Sequence, residues 1–174
     1  MSPRETRESA RVLRQVTAAA RTIETLTEDE CRAVLGRQRL CVVSVVDGES
    51  PYAVPVFYGF DGSTLYLGTS EGRKTRALDA NSRVYVLVTE VGPGDAWRSV
   101  AVAGHARTLT SDAERQQAID ILIAHNQRVR SSADLPSSRP RRPSGGRLLR
   151  IDDPKVTGRS FGWPTETART VADG

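Results

Sequence analysis

The residue types best suited to chemistry gather in one short stretch, Thr69-Ser70-Glu71-Gly72-Arg73-Lys74-Thr75, which runs into Arg76, Ala77, Leu78, Asp79, Ala80 and Asn81. The order reads as a strand end, a turn and a short helix that Asn81 closes. A helix N-terminus leaves backbone N–H groups without intrahelical partners and carries partial positive charge, so it favours an anion. Thr69 and Ser70 add hydroxyl donors, Gly72 lets the backbone come close, Arg73 supplies a forked cation and Lys74 a point charge. Together these groups suit a phosphate ester. Two cations at a helix start are commonly no more than a solvated face; against that, Lys74 and Lys155 are the only lysines among 25 Lys and Arg. The stretch is not a nucleotide P-loop. That motif needs Gly-Lys-Ser/Thr after four intervening residues, whereas three separate Gly68 from Gly72 here and Arg73 precedes Lys74.

The other reactive side chains are scattered. His105 falls on a predicted strand beside Gly104, where a wall residue is expected, and His125 falls on a predicted helix. An axial haem role for His105 would need a second ligand motif, and no such motif accompanies it. Cys31 and Cys41 have neither CxxC spacing nor a neighbouring histidine, and read as small apolar packers. Two cysteines alone build neither a disulfide framework nor a zinc site. Ser44 and Ser99 lack the context of a nucleophile elbow, which argues against hydrolysis. The carboxylates lie on turns and helix starts without an acid/base pair. No residue is therefore assigned as catalytic, and no metal site is expected.

The elements that must position residues 69–75 follow from periodicity. Thr27 reads as an N-cap with Glu28, Asp29 and Glu30 in the first turn; Cys31, Val34 and Leu35 give the apolar face, and Gly36 is expected to stop the helix. Leu40 to Val46, Tyr52 to Phe60 and Thr64 to Gly68 read as three strands joined at Asp47-Gly48 and Asp61-Gly62, a meander. Pro55 inside the middle strand demands an edge, a bulge or an opening in the wall, where backbone groups stay free to meet a ligand. Arg83 to Val91 and Trp97 to Leu109 are two further strands, the second with a bulge at Gly104. A helix over 111–130, capped by Ser111 or Asp112, turns Ile119, Leu122 and Ile123 inward, and Leu148 to Val156 supplies a sixth strand. Six strands with tight turns and three outer helices predict a small, mainly β antiparallel barrel. Residues 1–25 read as a basic arm, 26–160 as the barrel domain, 131–145 as a Ser/Pro/Arg-rich loop within it, and 161–174 as a tail.

Composition narrows the function classes. Of 174 residues 38% are hydrophobic, 26% charged and 5% aromatic, enough for one domain with a true core. No apolar run reaches the roughly 18 residues of a membrane-spanning helix, and no apolar h-region marks a signal peptide. A cytoplasmic protein without a membrane partner is expected. The formal charge of +4 invites a nucleic-acid reading, but the arginines crowd toward the ends (Arg4, Arg7, Arg11, Arg14; Arg139, Arg141, Arg142, Arg147, Arg150). A stacking groove needs exposed aromatics, whereas Tyr52, Phe57, Tyr58, Phe60, Tyr66, Tyr85 and Trp97 lie on apolar strands where a buried wall is expected. Nucleic acid is set aside as a partner.

The ordered set Leu40–Val46, Asp47-Gly48, Pro51 to Val56, Asp61-Gly62, Leu65-Tyr66-Leu67, Gly72-Arg73-Lys74, Leu78, Asn81, Arg83-Val84, Trp97 to Val100 and Gly104 resembles the pyridoxamine 5'-phosphate oxidase-like split-barrel family. The resemblance covers about residues 27–160 and is nearest the branch with the nitroimidazole-resistance proteins. It implies a six-stranded FMN-binding split barrel, a homodimer with two FMN sites at the subunit interface, and electron or hydride transfer to a small-molecule substrate. Carried over by position, Arg73 and Lys74 would hold the FMN phosphate with Thr69 and Ser70. Pro55, Val56, Phe57 and Tyr58 would line the ring system with backbone groups, and Trp97 and Ser99 would close the site, from the other subunit if not from their own. Alternatives on the same fold are a deazaflavin-dependent reductase and a non-enzymatic flavin or haem carrier. One position departs: relatives of the nitroimidazole-resistance type often have a histidine after the Leu-Tyr-Leu strand, where this chain has Gly68.

Overall fold

The structure, a computed structural model, describes residues 23–130 and 146–162; residues 1–22 of the expected arm, the 131–145 loop and the tail beyond 162 lie outside it. The chain runs β1 (Ile23–Thr25), α1 (Glu28–Arg37), β2 (Leu40–Asp47), β3 (Ser50–Phe60), β4 (Leu65–Thr69), α2 (Arg73–Ala80), β5 (Arg83–Val91), β6 (Trp97–Thr108), α3 (Asp112–Val129) and β7 (Arg147–Phe161). Both Asp-Gly turns form, with Gly48 and Gly62 at φ of 64° and 108°, a region closed to most side chains. Thr27 caps α1 through a reciprocal box: its hydroxyl accepts from the Glu30 N–H, and its own N–H donates to the Glu30 carboxylate at 2.8 Å.

All strands are antiparallel, in the order β1-β7-β4-β3-β2-β5-β6, and β6 pairs back onto β7 to close the barrel. Six strands make the ring, as the sequence predicts, and β1 is added outside it on the far end of β7. Residues 23–25 therefore belong to the sheet, not to a loose arm. β7 outruns the predicted Leu148 to Val156: its first part lies between β4 and β6, and its last part between β6 and β1. The ladder skips between Ala103 and His105, where Asp153 and Pro154 of β7 stand opposite Gly104, so the bulge lies on β7 rather than, as expected, at Gly104 itself.

The barrel is split because β3 and β4 part. β3 pairs with β2 over its length from Ser50 to Phe57, yet meets β4 only over Tyr58 to Phe60. Beyond that point β4 continues against β7 while the N-terminal half of β3 has an edge that pairs with none of the described residues, and Pro55 sits on it. A missing N–H costs no ladder bond there.

Inside, Val43, Val86, Val88, Val100, Val102, Leu67 and Ile151 are almost fully buried, and α1 plugs one end with Val34, Leu35 and Cys31. A second, smaller core lies outside the ring, where Ala118, Ile119, Ile121 and Leu122 of α3 pack with Tyr66, Leu109 and Leu148. Gly59 permits this contact; a Cβ there would stand 2.9 Å from the Leu122 Cα. Ile123 is not part of that core, and α1 runs through Gly36 to cap at Gln38. The aromatics are not all wall residues either: Phe57 is 55% and Tyr85 47% exposed on the outer face.

Candidate functional site

The parting of β3 from β4 opens a cleft of about 460 Å³, lined by Tyr52, Val54, Pro55, Val56 and Phe57 on one side and by the run from Gly68 to Lys74 on the other. That size suits a small-molecule or cofactor site. The Tyr58 N–H donates to the Arg39 carbonyl, which fixes which residues of β3 bond to β2. Alternation along an antiparallel pair then turns the main-chain groups of Ala53, Pro55 and Phe57 toward the unpaired edge.

The opposite wall is the first turn of α2. Gly72 is its N-cap, and the Gly72 N–H donates to the Thr75 hydroxyl at 2.9 Å. That hydroxyl in turn points its proton at Glu71 Oε2 and the Gly72 carbonyl, each at 2.9 Å. α1 and α3 each carry acids in their first turns, as the helix dipole favours; α2 carries none, and has Arg73 and Lys74 instead. Two cations at the positive end of a helix oppose its folding unless an anion joins them.

The cations are placed differently. Lys74 is half-buried, and its ammonium donates to Thr69 Oγ1 on the end of β4. Burial pulls its pKa below the ordinary lysine value. Among the described residues it pairs with no carboxylate. Arg73 lies at the mouth: its Nε donates to Asp47 Oδ2 at 2.6 Å, and its guanidinium stands 4.5 Å over the Tyr52 ring. Glu71 is held by the Arg147 fork at 3.0 and 3.1 Å, which with the Thr75 hydroxyl keeps its carboxyl below the usual range. With Arg73 and Glu71 each balanced, Lys74 is the charge the cleft offers to a ligand.

Seven of the ten expected site residues, Pro55, Val56, Phe57, Thr69, Ser70, Arg73 and Lys74, meet around this cleft. Tyr58 does not line it. Its side chain is fully buried with the hydroxyl donating to the Leu35 carbonyl at 2.8 Å, and its own carbonyl accepts from Asn126 Nδ2. Trp97 stacks on Phe161 at 6.0 Å between ring centres, and Ser99 lies between Thr89 and Arg159 on the outer sheet, both away from the cleft of their own chain. A Cβ at Gly68 would face Leu122 Cδ1 at 3.4 Å, so a histidine at this position would point to α3 rather than into the cleft.

His105 is exposed and bonded to Ser82 at 3.0 Å, while His125 is buried and meets the Gln38 carbonyl at 2.8 Å; neither touches the cleft. Cys41 is buried with its thiol on the Val56 carbonyl, and its pKa is pushed up to about 12 by burial, so it is inert. Among the described residues no group of three His, Cys, Asp or Glu could hold a metal ion. Tyr52, Asp47 and Arg147 were absent from the expected site. Strand alternation with Val54 and Val56 would have found Tyr52; Arg147 comes from a distant strand and has no local signal.

Comparison with known proteins identifies the family and the fold. The sequence pattern of the family described as pyridoxamine 5'-phosphate oxidase matches residues 27–160. A FAD-binding protein from Mesorhizobium loti is 29% identical, with a TM-score of 0.63 over 79% of this chain and 97% of that one. A protein proposed to confer 5-nitroimidazole antibiotic resistance, from Bacteroides thetaiotaomicron, shares the fold at 21% identity and a TM-score of 0.61, over 82% of this chain and 90% of its own. An uncharacterized protein of Rhizobium meliloti is 26% identical over 87 residues, which span 50% of this chain and 58% of that curated relative.

Proposed function

This chain belongs to the pyridoxamine 5'-phosphate oxidase family, and from that premise we propose that its cleft binds FMN by the phosphate and serves an oxidoreductase acting on a small molecule. The observation that carries the reading is the first turn of α2, where Lys74 and Arg73 stand in place of the acids that begin α1 and α3, beside Thr69 and Ser70. Lys74, Thr69 and the unpaired N–H groups of α2 would hold the phosphate. The free main-chain edge at Ala53, Pro55 and Phe57 would meet the polar rim of the ring system, and Val54 and Val56 supply apolar surface. The bound flavin supplies the hydride or electron transfer, and the protein anchors, orients and shields it. No protein acid or base is required.

The site is completed, in this reading, by a second copy of the chain. The outer face of the sheet carries a row of Pro55, Val42, Leu87 and Ala101 in direct register, with Leu40, Phe57 and Tyr85 exposed beside it. A contiguous apolar face of this kind favours an isologous dimer. Ser99 lies on the same face, one row from Ala101, so a partner's Ser99 and Trp97 are candidates to close the cleft.

A second reading, a flavin dinucleotide, is favoured by Arg73 over Tyr52, a cation and a ring at the mouth beyond the cradle, and by the FAD-binding neighbour. A deazaflavin would use the same cradle. Titrating FMN, FAD and a deazaflavin side by side ranks the three. Loaded protein mixed with NADH or NADPH and then an acceptor tests the activity: reduction and reoxidation are expected, and bound flavin that does neither identifies a carrier instead.

A further inference from the structure

Arg147 opens β7 directly opposite Thr69, in register with the last residue of β4. It does not line the cleft, yet its guanidinium ties two parts of the cradle, the 69–72 turn and α2, to β7. Nε and Nη2 grip both oxygens of Glu71, and Nη1 donates to Asp79 on the far turn of α2. The Arg147 side chain is only 18% exposed although both carboxylates are 57% exposed, so it is packed beneath them and held in one orientation. Glu71 is the one acid among the described residues lining the cleft, and it lies in the turn between Thr69 and the first N–H groups of α2. Left free, its carboxylate would face an incoming anion with a like charge, and the turn would lose its tie to β7.

We propose that Arg147 is a positioning residue for the anion cradle, holding and neutralising Glu71 so that the 69–72 turn and the start of α2 present only donors and positive charge to a phosphoryl group. This rests on the cleft being an anion site, whether or not the anion belongs to a flavin. The fork is specific to arginine: a lysine supplies the charge but not the two parallel bonds.

The test is a binding series on the full chain with three probes: FMN, riboflavin and inorganic phosphate, the last followed by thermal stabilisation. Arg147→Ala is expected to weaken FMN and phosphate roughly tenfold through the freed Glu71 charge, and to leave riboflavin, which has no phosphate, unmoved. Adding Glu71→Gln to Arg147→Ala is expected to restore most of the loss, since the amide keeps an acceptor for Thr75 without the charge. Arg147→Lys is expected to fall between. Unchanged FMN and phosphate affinity in Arg147→Ala overturns the proposal. So does a double variant as weak as the single one, or an equal loss for riboflavin, because either marks a purely structural role. Phosphate binding without FMN binding by the unaltered protein sinks the flavin reading and leaves Arg147 to be judged on phosphate. Binding of neither overturns both.

Discussion

At the residue scale, the two adjacent cations of the cleft are not equivalent. Arg73 is already satisfied by Asp47 and the Tyr52 ring, whereas Lys74 has, among the described residues, only the neutral Thr69 hydroxyl as a hydrogen-bond partner. Lys74→Ala is expected to weaken FMN about 10- to 100-fold, the worth of one charge-assisted contact. Arg73→Ala is expected to cost only about threefold, because Asp47 already balances most of the Arg73 charge; equal losses in a flavin-fluorescence titration would contradict the distinction. The sequence made this pair legible as an anion site but not its inequality. Asp47 ends a strand 26 positions earlier, and only the folded β2–β3 hairpin brings it beside Arg73.

At the element scale, α3 is the brace behind the cleft wall. It packs on β3 and β4 through Gly59, and Asn126 and His125 tie it to the Tyr58 and Gln38 carbonyls. Gly59→Ala forces a backbone shift and is expected to cost about 1–3 kcal/mol in denaturant melts. His125 accounts for a pH dependence. Its Nε2–H donates to Gln38, which leaves Nδ1 to accept from Arg128. Burial foremost, and the Arg128 charge, hold its pKa below the ordinary histidine value. The unfolded chain therefore takes up a proton at higher pH than the folded one. Stability present above about pH 6.5 is lost as the pH falls below it. Melts from about pH 7 to pH 5 should show this decline, and His125→Gln should flatten it; a decline of the same size in the variant would locate the effect elsewhere.

Most strands were legible because alternation and Asp-Gly turns are local signals, and Arg83 to Val91 matches β5 end to end. β7 was legible only in part: the predicted Leu148 to Val156 lies within it, Asp153 takes a φ of 48° in a bulge opposite Gly104, and the strand runs on to Phe161. The partner strands β6 and β1 on its two sides make that continuation worthwhile.

At the scale of the whole molecule, the barrel is built to leave one defect. β3 is held by β2 along its length and by β4 only at its end, so the cleft is a consequence of strand pairing rather than of a loop. The outer face that continues from this edge is apolar where an isolated barrel would be polar. Replacing Val42 and Leu87 by glutamate is expected to convert a dimer to a monomer in sedimentation velocity and to weaken FMN with it. A parent protein that sediments as a monomer would remove the second copy from the account. The fold class followed from the sequence because turns and alternation are short-range; what the outer face meets did not, since an outward apolar residue and a wall residue have the same pattern.

The central claim is that this cleft recognises a flavin through its phosphate. The direct measurement is the pair of dissociation constants for FMN and riboflavin on the unaltered protein, read by quenching of flavin fluorescence. The account predicts FMN bound at least about 100-fold tighter than riboflavin, since the two differ only in the group the α2 cradle would hold. Equal affinities, or no retention of either, would contradict it.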